Sequence, residues 1–304
     1  MPHTLLELEQ RAHETYGDEA QPRMGFFTDT SVCIGCKACE VACKEWNHVP
    51  EEIEGWTGHS YDHSLELGAN RWRHVAFIEQ EKPLGADAAA ESLVEAAERA
   101  NAVNGWGLDT YQDGDGVRWL MSSDVCKHCT SAACLDVCPT GALFRTEFGT
   151  VVVQEDVCNG CGYCVPACPF GVIDKREPDG RVWKCTLCYD RLKDDLEPAC
   201  AKACPTDSIQ FGELDDLRKH AEERLAKLRE AGAEKAQLYG ADPDDGVGGF
   251  GAFFLLLDEP EVYGLPPDPV VTTRDIGQVW AGALAAAVAL GAGIAAAVFG
   301  GRKA

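Results

Sequence analysis

Sixteen cysteines stand in four groups of four, and none lies outside them. In the third group Cys158, Cys161 and Cys164 recur at three-residue intervals, Cys168 follows after a gap of three residues, and Pro169 follows that. Thiolate sulfur is a soft ligand suited to iron–sulfur clusters. This spacing is that of bacterial ferredoxins: the close trio wraps one [4Fe–4S] cluster and the fourth cysteine ligates another. Gly160 and Gly162 suit a tightly bent loop, and Pro169 interrupts the backbone that follows. A zinc knuckle would need two separated ligand pairs, which three cysteines within seven residues do not offer.

The first group, Cys33, Cys36, Cys39 and Cys43, repeats the spacing, with Lys44 where the proline would stand. The second, Cys126, Cys129, Cys134 and Cys138, widens the middle gap and ends in Pro139. The fourth, Cys185, Cys188, Cys200 and Cys204, ends in Pro205 and carries an eleven-residue middle gap. Tyr189 to Glu197 must therefore loop out and return. Tandem groups exchange fourth cysteines, so four clusters are expected. The adjacent second and third groups give Cys126, Cys129, Cys134 with Cys168, and Cys158, Cys161, Cys164 with Cys138. The first and fourth pair across the fold, giving Cys33, Cys36, Cys39 with Cys204, and Cys185, Cys188, Cys200 with Cys43.

The elements that must hold these groups point to an α+β fold: two ferredoxin-like dicluster units followed by one transmembrane helix. The expected divisions are an N-terminal extension (1–25), a four-cluster domain (26–212), a helix and connector (213–275) and the transmembrane helix (276–301). Within the domain, one unit joins 26–45 to 180–212, the other is 120–179, and 46–119 is an insertion. Met1 to Arg23 is polar and reads as a short surface helix. Trp72 to Ile78, Val117 to Met121, Val151 to Val153 and Gly251 to Leu257 read as strands. Asp87 to Ala102 reads as an Ala/Glu-rich helix, and Asp113 to Gly116 as a turn. Over Glu213 to Glu230, Leu214, Leu217, Ala221, Leu225 and Leu228 share one helical face. Gly246 to Gly251 reads as a flexible turn, and Tyr263 to Pro267 as an extended connector.

Ile276 to Gly301 contains no charge. As a helix it spans about 39 Å against a hydrocarbon core of about 30 Å, enough for a tilted crossing. Trp280 suits the interface. Gly282, Ala285, Gly291 and Gly293 suit close packing in a membrane. Arg302 and Lys303 place the C-terminus in the cytoplasm and the cluster domain outside.

The 304 residues carry 50 acidic and 27 basic side chains, a net charge of −23, which argues against nucleic acid. Disulfide frameworks typify small secreted chains, and this chain is larger, 45% hydrophobic, and opens without an apolar signal segment. No dinucleotide fingerprint, Walker loop or nucleophile–base motif occurs. His48, His59, His63 and His74 read as surface or packing residues. His128, inside a cysteine group, could tune a cluster by hydrogen bonding. No histidine lies beyond His220, so haem ligands must come from a partner. What remains is a wire of four clusters.

The chain resembles the iron–sulfur (beta) subunits of respiratory formate dehydrogenases. The likeness rests on Cys33-Ile34-Gly35-Cys36-Lys37-Ala38-Cys39, on Lys184-Cys185-Thr186-Leu187-Cys188-Tyr189-Asp190-Arg191, on Glu197-Pro198-Ala199-Cys200 and on Cys204-Pro205-Thr206. Gly246-Val247-Gly248-Gly249 and Tyr263-Gly264-Leu265-Pro266 resemble the tail leading to that family's single membrane helix. The resemblance implies a catalytic partner with a molybdenum or tungsten pterin that oxidises formate, and a haem-b membrane subunit that reduces quinone. It implies that the unit of the first and fourth groups faces the catalytic subunit and the other faces the haem. It also implies export on the partner's twin-arginine signal. The same wire could serve another molybdoenzyme or a hydrogenase. A zinc-stabilised membrane-anchored scaffold is the alternative from a different class.

Overall fold

The computed structural model describes residues 5–51, 58–59, 61–80 and 118–300. The helix expected over Asp87 to Ala102 and the turn at Asp113 to Gly116 lie outside the described residues. In chain order, α1 (Leu5–Tyr16) precedes β1 (Met24–Asp29) and α2 (Ala38–Trp46). Next come β2 (Arg73–Gln80), β3 (Arg118–Val125), α3 (Ala133–Asp136), β4 (Leu143–Arg145) and β5 (Val151–Val153). Then follow α4 (Cys164–Ala167), β6 (Asp174–Lys175), β7 (Val182–Trp183), α5 (Tyr189–Lys193), α6 (Ala199–Lys202) and β8 (Ile209–Glu213). The tail holds α7 (Leu214–Glu230), β9 (Gln237–Tyr239), β10 (Ala252–Leu256) and α8 (Ile276–Gly300). Helix and strand are thus mixed along the chain.

The main sheet has the order β8-β1-β10-β9. β10 lies parallel to β1, with Phe26 beside Ala252, and β8 lies antiparallel on the other side, with Thr28 beside Ile209. The run Ala252-Phe253-Phe254-Leu255-Leu256 is buried throughout, as a strand covered on both faces requires. Phe27 stacks on Phe253 at 5.2 Å. The helix α7 covers this sheet with Leu214, Leu217, Ala221 and Leu228 buried and Leu225 packed against the core. Asp215 and Asp216 in its first turn, and Lys227 and Arg229 in its last, complement the helix dipole. The pairing of β1 with β8 has a positional consequence. It holds the chain entering the first cysteine group beside the chain leaving the fourth.

A second, smaller core gathers Ala132, Leu143, Val151, Ile173 and Val182 under the hairpins β4–β5 and β6–β7. The connector ties to this part of the molecule. The Thr272 hydroxyl donates to the Ala167 carbonyl at 3.2 Å, and the Thr273 hydroxyl donates to Asp136 Oδ2 at 2.8 Å.

Three local expectations need correction. Tyr189 to Glu197 does not simply loop out. It begins as α5, and Arg191 turns it back by donating from Nε to the Glu197 carbonyl at 2.6 Å. The Gly-rich stretch is not a loose turn. The amides of Thr130 and Ser131 donate to the carbonyls of Gly249 and Val247, and those of Gly251 and Ala252 donate to His128 and Lys127. Glycine permits this strap to lie close: a Cβ on Gly246 would stand 2.0 Å from the Pro269 carbonyl oxygen. Tyr263 to Pro267 is not extended throughout, because Pro260–Tyr263 forms a 3-10 turn and Gly264 follows with φ +71°.

Among the described residues, α8 is long and apolar enough to cross a membrane. Its 25 residues span about 37 Å. None of its candidate span is buried against the rest of the chain. An isolated apolar helix in water would leave its side chains exposed at a cost of about 25 cal/mol per Å2, so its natural surroundings are lipid or another apolar helix.

Candidate cluster-binding sites

The four cysteine groups share a backbone device. The residue before the second cysteine has positive φ in each: Gly35 (65°), His128 (45°), Gly160 (72°) and Leu187 (56°). This curls the loop so that its thiols and amides face one side. At Gly160 only glycine fits, since a Cβ would lie 2.3 Å from the Gly180 carbonyl oxygen. After the last cysteine the pattern recurs at Gly141, Gly171 and Asp207, all with positive φ. The first group departs from it. Lys44 has an amide and free φ where proline would not, so α2 runs on to Trp46.

Short helices bring the groups together in pairs. α3, carrying Cys134, packs on α4, carrying Cys164, and α2, carrying Cys39 and Cys43, packs on α6, carrying Cys200. All sixteen cysteines are free thiols. Cys43 lies within electrostatic reach of Cys185, Cys200 and Cys188. Cys33 lies within electrostatic reach of Cys204 and Cys36. Cys129 lies within reach of Cys126, Cys134 and Cys168, and Cys164 within reach of Cys138, Cys161 and Cys158. Between these gatherings, Cys39 reaches Cys200, Cys185 reaches Cys126, and Cys134 reaches Cys164. Electrostatic reach thus links thiols of different gatherings, and Cys36 and Cys161 are the exposed members of the sixteen.

Among the described residues, no three His, Cys, Asp or Glu side chains converge closely enough to hold a single metal ion. Burial pushes Cys39, Cys164 and Cys188 up to about 11, and Cys134 up to about 12. Free thiols here keep their protons, and metal binding must displace them. Cys138 is the exception. Burial opposes its thiolate, yet the Leu143, Thr140 and Ala142 amides and the Thr140 hydroxyl outweigh that and hold it below the usual thiol range.

Three cations are fully or almost fully buried among the thiols: Arg73, Lys127 and Lys184. Lys127 pairs with Asp124. Among the described residues neither Arg73 nor Lys184 has a carboxylate partner. Lys184 donates to the carbonyls of Val151 and Cys185. Burial disfavours its charge, but Cys126, Cys134 and Cys185 more than compensate. A buried charge needs a counter-charge, and the anionic thiolates of an iron–sulfur cluster provide one. His128 makes the same point. Its Nδ1 accepts from the Val151 amide at 3.1 Å, which leaves the ring proton on Nε2. That buried Nε2 has no partner. The residue lines a cavity with Cys126, Cys129, Cys134 and Cys168, where a cluster sulfur would accept its proton.

Of the other histidines singled out, His48, His59 and His63 are exposed. His74 is buried, with Ser64 Oγ 3.1 Å from Nδ1 and Asp62 3.5 Å from Nε2. Sequence reasoning missed Asn47, Ser123 and the three cations. Lys127 and Lys184 adjoin cysteines, a signal that was available. Arg73 has no such signal, since it reaches the thiols across the fold.

Comparison with known proteins places the chain first in a class. Two family models described as 4Fe-4S dicluster domain match residues 32–142 and 117–214. The more specific relation follows from whole-chain matches. The formate dehydrogenase iron–sulfur subunit of Haemophilus influenzae is 39% identical over 80% of this chain and 68% of its own. The formate dehydrogenase-O iron–sulfur subunit of Escherichia coli is 36% identical over 92% of this chain and 83% of its own. The B subunit of the anaerobic dimethyl sulfoxide reductase of Escherichia coli is 35% identical over 64% of this chain and 76% of its own. The chain belongs to the family of formate dehydrogenase iron–sulfur subunits.

Proposed function

We propose that this chain is the electron-transfer subunit of a membrane-bound formate dehydrogenase, with four [4Fe–4S] clusters in two ferredoxin-like units. The ligand sets are Cys33, Cys36, Cys39 and Cys204; Cys185, Cys188, Cys200 and Cys43; Cys126, Cys129, Cys134 and Cys168; and Cys158, Cys161, Cys164 and Cys138. When bound, the clusters supply one-electron carriers in series. The observation that carries this reading is the gathering of the sixteen thiols from the four groups, with Cys126 of one unit within electrostatic reach of Cys185 of the other. The chain's own residues hold these thiols. Positive-φ loops aim the thiols, buried cations balance their charge, and paired helices fix the spacing.

A molybdenum- or tungsten-pterin catalytic subunit docks at the Cys36 end, and a haem-b subunit that reduces quinone docks at the Cys161 end. The connector supports this polarity. Thr272 and Thr273 fasten it to α4 and α3, so α8 leaves from the unit holding the second and third groups. That unit then lies at the membrane, in the cell or plasma membrane as a single pass, with the cluster domain on the outer face and the C-terminus in the cytoplasm. The dimethyl sulfoxide reductase relative matches less of the chain than the formate dehydrogenase subunits do, which favours formate as donor.

The test is anaerobic. Membranes holding the complex are treated with formate, frozen, and read by low-temperature EPR. Reduced cluster signals that a quinone analogue reverses are expected. Clusters silent to formate but reduced by hydrogen would replace the catalytic partner, and signals that quinone leaves untouched would sink the membrane half of the path.

A further inference from the structure

Arg73 comes from outside the cysteine groups, at the start of β2, yet its guanidinium is buried among thiols of two different ligand sets. Its Nη2 donates to Cys200 Sγ at 3.3 Å. Its Nη1 donates to the carbonyl and hydroxyl oxygens of Ser123, each at 3.2 Å. The Ser123 hydroxyl in turn stands 3.2 Å from Cys39 Sγ. The register of β2 against β3 sets this up, with Arg73 beside Val125 and Val75 beside Ser123. The Phe26 ring, 5.0 Å from the guanidinium carbon, closes the site on another side.

Resting on the proposed ligand sets, we infer that Arg73 and Ser123 form a two-sided bridge raising the reduction potentials of two neighbouring clusters together. One arm acts directly on the Cys200 thiolate. The other acts through Ser123 on the Cys39 thiolate. Hydrogen bonds and positive charge at cluster sulfurs favour the reduced form. The guanidinium cannot lose its charge, and with no carboxylate partner among the described residues its field falls on the sulfurs. Arg73 is a positioning and tuning residue and takes no electron itself. The strand β2 thus belongs to the wire, although the sequence places it in an insertion between ligand groups.

The experiment is an EPR-monitored redox titration of the intact complex, with iron and sulfide assayed on the same samples. In R73M, with iron content unchanged, two of the four signals should move to lower potential by the equivalent of about a tenfold change in the reduction equilibrium, roughly 59 mV for one electron. R73K should restore part of the shift, because it keeps the charge without the fork. S123A, the milder change, should move the Cys39 cluster and leave the Cys200 cluster almost in place. Full iron with no shift in R73M, a shift in one cluster only, or both clusters moving in S123A would overturn the bridge while leaving the four-cluster reading intact. Should R73M fail to assemble, S123A and R73K decide the matter by the same criteria. A wild-type complex lacking iron would instead fail the reading on which the bridge rests.

Discussion

Asn47→Leu asks whether the cysteine groups exchange ligands. Asn47 caps α2, and its Nδ2 carries two protons. One goes to the Cys43 carbonyl at 2.8 Å, and the other is shared between Cys43 Sγ and Cys188 Sγ, each 3.7 Å away. The Cys43 carbonyl keeps the Asn47 amide at 3.1 Å, so replacement by leucine should cost the fold only about 1 kcal/mol. Hydrogen bonds to charged acceptors contribute about 1.5–3 kcal/mol, and a shared, long one belongs below that range. Only the portion that strengthens on reduction moves the potential. A differential of about 0.5–1 kcal/mol corresponds to roughly 20–40 mV, since 59 mV is tenfold for one electron. In a potentiometric titration followed by EPR, one cluster signal should shift negative by that amount. Cys43 and Cys188 come from different groups yet share one cluster in the exchanged arrangement. Two shifted signals would mean that each group keeps its own four cysteines. No shift would mean that Asn47 does not touch a ligating sulfur.

Other consequences follow from the same geometry. Gly160→Ala combines positive φ, a penalty of about 1–2 kcal/mol, with a backbone clash at Gly180, so the subunit should lose the cluster held by Cys158, Cys161 and Cys164, seen as a quarter less of the subunit's own iron and one missing EPR signal. Cys164→Ser should block formate-dependent quinone reduction while leaving dye-linked formate oxidation largely intact; unchanged quinone reduction would contradict a series path. Val288→Arg puts a charge near the middle of α8 at about 2.5–3.5 kcal/mol, and the subunit should shift from the membrane pellet to the soluble fraction after an alkaline wash.

Much of the site was legible because ligation is local. In the first three groups, three of every four proposed ligands sit in one short motif, and spacing alone proposes their cluster. The face of α7, the buried run at Ala252–Leu256 and the apolar stretch of α8 were legible for the same reason, since periodicity and hydrophobicity are properties of neighbouring residues. Aligning the groups with one another also exposes His128 and Leu187, which stand where Gly35 and Gly160 stand and adopt the same left-handed backbone. What could not be read is tertiary. Arg73 meets Cys200 across 127 residues and Asn47 meets Cys188 across 141. The glycines at 246–251 look like a hinge until the backbone of the second group is found hydrogen-bonded along them. The excursion inside the fourth group looks like a loop, but it docks on α2, where the Trp46 indole donates to Asp190 at 2.8 Å and Arg191 stacks over the ring.

The most direct measurement of the central claim is the iron and acid-labile sulfide content of the purified subunit within its complex, with the partner's contribution subtracted. Four [4Fe–4S] clusters on sixteen thiols require one iron and one sulfide per cysteine, and that ratio is the prediction. Zinc without sulfide, or iron and sulfide at half that ratio, would contradict the account.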